Sequence, residues 1–424
     1  MQTNIGKLTQ FIDESPTAYH AAENAKALLI SEGFIPLAEQ EDWNLCQDGK
    51  YFVQRGACII AFTVGGLDNF CYKIVASHVD SPALKLKENP VIRSGACATL
   101  NVETYGGGLW YSFMDRPLKI AGRVVKSENG KIFSQTVEAP FLVTIPSVAI
   151  HQNRNANDGF TVNPQIDLCP LLGLGDGENF IQKVAGENVL SYDLFVVSAE
   201  KPYSMGMQDE LLAAPRIDNL TSAYASLQAL LAHAESDGIC IAALFDCEEV
   251  GSRGAQGAGG DFLENTLRRI TYAVRFDDNE FYKALASSFL LSVDNAHAAH
   301  PNHPEKSDPT NKTTLGGGVA IKSHAGGCYL SDGLSSAMVK TVFDKAGVKH
   351  QSFFNRSDAR SGSTLGMISL TRFGVIGADI GLPQLAMHSA CECFAKDDYT
   401  QLETGLTAFY SSDILADGNG FIIR

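Results

Sequence analysis

The segment Phe245-Asp246-Cys247-Glu248-Glu249-Val250-Gly251-Ser252 sets two adjacent glutamates between an apolar run and a glycine-containing turn. Two like charges at such a place need compensation. Neighbouring side chains on a strand point to opposite faces, but in the turn after it both carboxylates can approach one centre, one binding a cation and the other a water. Alone, the pair reads as a solvated surface feature, so its meaning depends on what else the chain supplies. His78-Val79-Asp80 supplies an imidazole and a carboxylate at i and i+2, on one face of a strand, where the acid can sit beside or behind a histidine ligand. Asp294 again follows an apolar run, with His297, His300 and His303 beyond it. The i, i+3, i+6 spacing of those histidines, ahead of and around Pro301, does not match a standard zinc finger. Asp218, in Pro215-Arg216-Ile217-Asp218-Asn219-Leu220, reads singly as a helix N-cap, and His388, in Leu385-Ala386-Met387-His388-Ser389, equally as a satisfied core histidine. Taken together, these imidazoles and carboxylates at the ends of expected elements suit zinc, cobalt or manganese.

The elements that must carry them can be read along the chain. Ser15-Pro16 resembles an N-cap followed by proline in the first turn of a helix that runs through Leu29 and stops near Gly33. Apolar runs at Ala57 to Val64 and Tyr72 to Ala76 read as strands, the second leading straight into Ser77-His78-Val79-Asp80. From about Gly95 to Glu200 the pattern becomes short alternating runs such as Leu118 to Val125, with a hairpin signal at Glu128-Asn129-Gly130-Lys131 and a triple glycine at Gly106 to Gly108. This stretch is expected to be an inserted, mostly β domain. Beyond Pro215 helices and strands alternate: a long helix from Asn219 to Glu235, an apolar strand from Ile239 to Phe245, and strands ending at Asp294, Lys322 and Asp379. Open α/β sheets place ligands at such strand ends.

A chain of 424 residues with 45% hydrophobic content can bury a large core and is expected to divide into two domains. Its first twenty residues lack a signal peptide's basic start and apolar stretch, and no run of about 20 apolar residues follows, so a cytoplasmic location and no membrane partner are expected. The ten cysteines are scattered, and the one close pair, Cys391-Glu392-Cys393, lacks the C-x-x-C spacing of redox or structural zinc motifs, so free thiols are expected. A net charge of -15 without a basic cluster disfavours nucleic acid. The glycine clusters fit neither the P-loop nor the dinucleotide fingerprint.

Read in order, FIDESPTAYHA, ASHVDSPALKLK, AIHQNRNAND, APRIDNL, FDCEEVGSRGAQGA, SVDNAHAAHPNH, NRSDARSGSTLG and GLPQLAMHS resemble the M18 family of metallo-aminopeptidases, the aspartyl aminopeptidases, nearly end to end. The resemblance implies an α/β fold: a mixed-sheet metallo-exopeptidase catalytic domain with helices on both faces, residues 1–94 and 209–424, and an inserted β-rich oligomerisation domain, residues 95–208. It further implies that His78 and Asp294 bind one divalent ion, that Glu249 and His388 bind another, that Asp218 bridges the pair, and that Glu248 is the general base. Two ions, most simply Zn2+ with Co2+ or Mn2+ as substitutes, roughly 3.5–4 Å apart, polarise a scissile carbonyl and activate a shared water, while a free carboxylate takes its proton. Asp80 then holds His78 in the right tautomer. Family members prefer an N-terminal Asp or Glu, and Lys322 aligns with the lysine that meets that acidic side chain. His151 matches a histidine that reaches a neighbouring subunit's site, which implies a homo-oligomer, a tetrahedral dodecamer acting on peptides with a free N-terminus. The segment Ser323 to Cys328 and the stretch around Ala359-Arg360-Ser361 and Met367 depart from the family pattern, and Arg360 adds a cation near the substrate pocket. The same ligands also suit a two-metal deacylase or carboxypeptidase; an assembly protein that has lost its chemistry is a further alternative, against which the presence of all six candidate metal and base residues argues.

Overall fold

The computed structural model describes residues 2–234, 236–359, 361–362, 364–366, 368 and 374–424. A nine-stranded sheet runs in the order Ile35–Leu37, Lys50–Arg55, Cys58–Val64, Ile239–Phe245, Tyr72–His78, Phe289–Val293, Ile376–Gly381, Val319–Lys322 and His350–Phe353. The strands from Ile239–Phe245 to Ile376–Gly381 are parallel, while Cys58–Val64 and Val319–Lys322 flank them antiparallel, so the sheet is mixed. Its central strands are apolar without alternation because both faces are covered. Val75, Ala242 and Leu291 pack on one side, in a core with the helices Ile217–Ala232 and Lys396–Ser411; Ile74, Ile241 and Leu290 pack on the other, with Phe262–Ala273 and Asp278–Ala286.

Register brings the chemistry to one edge. Phe245 pairs with His78, and Ser292 with Ala76, so Asp294 comes level with His78 two residues further along. The turn holding Glu248 and Glu249 leaves the same edge directly after Phe245.

A second, antiparallel sheet runs Lys131–Val143, Leu118–Glu128, Val189–Ser198, Ala83–Ser94, Cys97–Tyr105 and Leu171–Leu174. It encloses its own core, with Leu84, Leu100, Ile120 and Leu194 fully buried. The hairpin at Asn129 and Gly130 has φ of 49° and 80°, the left-handed pair that an Asn-Gly turn adopts. Because Ala83–Ser94 pairs within this sheet, the sheet starts ahead of residue 95. A third, five-stranded sheet runs Tyr203–Met205, Leu211–Ala214, Glu392–Ala395, Pro383–Leu385 and Ala296–His297. Its Pro383–Leu385 and Glu392–Ala395 strands flank the turn that carries His388.

Local details depart from the sequence reading in three places. The helix expected from Ser15-Pro16 begins at Ala18, after Thr17 in extended conformation, and an earlier helix, Gln2–Asp13, precedes it. Asp379 lies inside the strand Ile376–Gly381 rather than at its end, buried and accepting hydrogen bonds from Thr364 Oγ1 at 2.6 Å and Leu330 N at 2.5 Å. The long helix spans Ile217–Ala232 but is not helical at Asp218 and Asn219, which frees Asp218 to turn toward the sheet edge. Glu235, its expected end, lies outside the described residues.

Candidate metal centre

Five side chains converge in two overlapping groups, His78 with Asp218 and Asp294, and Asp218 with Glu249 and His388; within each group the potential ligand atoms lie within 4.8 Å of one another. Asp218 is common to both. Its Oδ1 stands 3.5 Å from His78 Nε2 and its Oδ2 3.5 Å from His388 Nε2, with Asp294 Oδ1 3.6 Å from His78 Nε2 and Glu249 Oε1 3.3 Å from His388 Nε2. Two ligands each about 2.0–2.2 Å from a tetrahedral zinc ion stand roughly 3.3–3.6 Å apart. The observed spacing is that of atoms arranged around a cation. Moreover, Asp218 Oδ1 and Glu249 Oε1 are buried acceptors with no hydrogen-bond donor, an expensive state unless a cation satisfies them.

The imidazoles are prepared in the same sense. His78 Nδ1 lies 3.0 Å from the Asp80 carbonyl and His388 Nδ1 2.9 Å from the Gly107 carbonyl. A ring that donates from Nδ1 leaves the Nε2 lone pair free for an ion. Without a cation, the crowded carboxylates draw protons instead. Burial alone would lower the pKa of His388, but Asp218 and Glu249 outweigh it and push it up to about 10. Burial, together with Asp294, Asp80 and Asp218, pushes Glu248 up to about 7 against the opposing effect of His78. The donor set, spacing and electrostatics all fit bound divalent cations.

Several elements hold these groups in place. Cys247 at φ 64° and Gly251 at φ 92° bracket the short turn that redirects Glu248 and Glu249 after their strand. Asp80 ties that turn down: its Oδ1 accepts the Glu248 N–H and its Oδ2 the Glu249 N–H, both at 3.1 Å. The Asp80 carboxylate stands 3.4 Å from His78 Nδ1, farther than its own backbone carbonyl, so its main grip is on the glutamate turn. Gly381 lets its strand close on Asp294, whose carbonyl oxygen would lie 1.8 Å from a Cβ there. Opposite, Glu392 is buried and accepts the backbone N–H of Asp218 at 2.9 Å and of His388 at 2.6 Å, with Gln384 Nε2 at 3.2 Å. Glu392→Ala strands both N–H groups at ~1–3 kcal/mol each, so urea unfolding is expected to show a loss of about 2–6 kcal/mol. A loss under about 1 kcal/mol would mean that water replaces the carboxylate.

Around this cluster, Lys322 is buried with Nζ 3.8 Å from Asp294 Oδ2 and 5.4 Å from the centre of the Tyr329 ring. Burial alone would lower its pKa, but Asp294 and its other acidic neighbours hold it above the usual lysine value. His151 is exposed in a turn and outside the cluster within its own chain. Arg360 and Met367 lie outside the described residues. His300 and His303 are exposed, their rings 5.1 Å apart, and join no ligand group among the described residues. Tyr105, Gly107 and Glu392 were not singled out by sequence reasoning. The signals present were the Tyr105-Gly106-Gly107-Gly108 run and the acid between Cys391 and Cys393, a triplet noticed only for its cysteines.

A family model described as Aminopeptidase I zinc metalloprotease (M18) matches residues 11–410. The chain is 39% identical over 424 aligned residues to "Probable M18 family aminopeptidase 2" of Clostridium acetobutylicum, covering 96% of this chain and 98% of that relative. Among solved structures it is similar to a chain of the cryo-EM structure of the Ape4 and Nbr1 complex, with TM-score 0.90, 31% identity, and 96% and 85% of the two chains covered. It is also similar to the S. cerevisiae mApe1 dodecamer, with TM-score 0.82, 25% identity, and 96% and 97% covered.

Proposed function

From the premise that the chain belongs to the M18 family of zinc metallo-aminopeptidases, and is therefore a metal-dependent hydrolase acting at peptide N-termini, we propose that it works with two ions and removes an acidic residue. The observation that carries the two-ion reading is the pair of ligand groups sharing Asp218, and the buried ammonium of Lys322 beside them supports the acidic preference. His78 and Asp294 would hold one ion, Glu249 and His388 the other, with Asp218 between them. Zinc is the expected metal, and cobalt or manganese would suit the same mixed donors. Bound divalent ions supply Lewis acidity toward the scissile carbonyl and lower the pKa of a water.

The chain's own groups do the rest. Glu248 is the general base: its carboxylate takes a proton from the attacking water and returns it to the departing amine. Asp80 keeps that base and Glu249 in place through their backbone N–H groups. Lys322 meets the carboxylate of an N-terminal Asp or Glu, its buried ammonium having Asp294 as its one ion-pair partner among the described residues. Arg360 is a second candidate cation for that pocket.

The same proposal extends to assembly. Residues 95–208, together with the strand Ala83–Ser94 that pairs into the same sheet, would form the inserted oligomerisation unit, and exposed Ile132, Leu142, Val148, Ile166 and Leu174 support a protein interface. A tetrahedral dodecamer, with His151 reaching a neighbour's centre, is the assembly we propose; the S. cerevisiae relative is a dodecamer. Ten unpaired thiols suit a reducing, cytoplasmic compartment. No helix among the described residues is long and apolar enough to cross a membrane.

A panel of Asp-, Glu-, Leu- and Lys-aminoacyl chromogenic amides, set beside N-acylated and C-terminal analogues, tests the reading. Cleavage of Asp and Glu amides is expected; cleavage of only the N-acylated or C-terminal analogues would replace it with a deacylase or carboxypeptidase. Lys322→Ala is expected to raise KM for acidic amides about tenfold or more, since hydrogen bonds to charged groups contribute ~1.5–3 kcal/mol, and to leave the Leu amide nearly unchanged. Equal effects on both would remove Lys322 from the substrate pocket.

A further inference from the structure

The two halves of the centre are built differently. His78 ends one strand of the nine-stranded sheet and Asp294 follows its neighbour, with Asp294 N donating to Ile380 O at 3.0 Å in the next strand. That half rests on the sheet's own hydrogen-bond ladder. Glu249 and His388 instead lie on turns, and both turns meet one short segment from the second sheet, Tyr105-Gly106-Gly107, at the end of the strand Cys97–Tyr105.

Three contacts make the link. Tyr105 Oη donates to Asp80 Oδ2 at 2.7 Å, the same oxygen that accepts the Glu249 N–H. Gly106, at φ 74°, leaves room for Glu249, whose Cβ would lie 3.0 Å from a Cβ at that position. Gly107 O accepts from His388 Nδ1 at 2.9 Å. By contrast, His78 Nδ1 has the Asp80 backbone carbonyl at 3.0 Å as its nearer partner and depends less on where the Asp80 carboxylate is held.

We infer that Tyr105 is a positioning residue, and Tyr105-Gly106-Gly107 a positioning segment, for the Glu249/His388 half of the centre, so that the second sheet governs how tightly that ion is held. The inference rests on the two-ion reading proposed above. Partners that orient metal ligands typically contribute about 10- to 100-fold in affinity.

The test is zinc and cobalt titration of metal-free protein by calorimetry, with the visible spectrum of the cobalt form as a second readout. Tyr105→Phe removes only the hydroxyl, and Gly106→Ala perturbs the same segment without touching it. Each is made in an Asp294→Ala background, which leaves the Glu249/His388 half, and in a Glu249→Ala background, which leaves the His78/Asp294 half. Both variants are expected to weaken binding about 10- to 100-fold in the first background and less than about threefold in the second, and to shift the cobalt spectrum only in the first. Equal weakening in both backgrounds marks a general structural role and overturns the inference, as does no change in either. Wild-type protein that takes up fewer than two equivalents overturns the two-ion reading itself, a distinct outcome read before any variant is made.

Discussion

Glu248→Gln is expected to keep its full complement of bound metal and to lose about 10²- to 10⁴-fold in kcat, the usual contribution of a positioned general base. The change is isosteric and removes no ligand, because Glu248 belongs to neither ligand group and its backbone N–H stays on Asp80 Oδ1. KM should move little, since the amide fills the carboxylate's place. The pH profile carries the sign. In the metal-free centre, burial together with Asp294 and Asp80 pushes this acid up to about 7. Bound cations favour its ionised form, so the acidic limb of wild-type kcat should lie below 7 and vanish in the variant. Metal content by emission spectroscopy and steady-state kinetics decide the matter. Activity within tenfold of wild type would assign the proton to another group.

Asp218→Ala should have the broadest effect on metal of any single substitution. Its two carboxylate oxygens face different histidines, Oδ1 toward His78 and Oδ2 toward His388, so its removal takes a ligand from both groups at once. Affinity is expected to fall by roughly 100-fold or more at both positions, beyond what orienting partners contribute, and turnover to disappear. Asp294→Ala and Glu249→Ala should each cost one equivalent. The backbone N–H of Asp218 still reaches Glu392 in the variant, so the fold should persist, with a circular dichroism spectrum like that of the wild type. Full retention of one equivalent after buffer exchange would show that Asp218 serves only one ion.

Much of this centre was legible in the chain because its parts sit at ends of regular elements. The apolar strands leading to His78, Glu248 and Asp294 announce themselves by composition, and each terminates in the polar residues that matter. The positions of Asp218 and His388 were legible only as members of a set. One looks like a helix cap and the other like a core histidine, and the non-helical backbone at Asp218 and the φ of 66° at His388 are tertiary outcomes with no local signature. The supporting residues were least visible. Tyr105 bonds across 25 positions to Asp80, and Glu392 across 174 to Asp218, so the glycine run beside one and the cysteines beside the other do not reveal their partners. Asp379 was misplaced for the opposite reason: a buried carboxylate within an apolar run resembles a strand terminus until Thr364 and Leu330 are seen to satisfy it.

Finally, the candidate ligands are spread from residue 78 to residue 388, in five separate stretches of chain. Synthesis delivers them in order, and His388 comes last. Until it emerges, the Asp218 and Glu249 carboxylates have no second imidazole, and a growing chain holds half a centre at most. On the ligand set proposed above, a nascent or truncated copy lacking His388 would hold an incomplete centre, and hydrolytic capacity would await nearly the whole architecture.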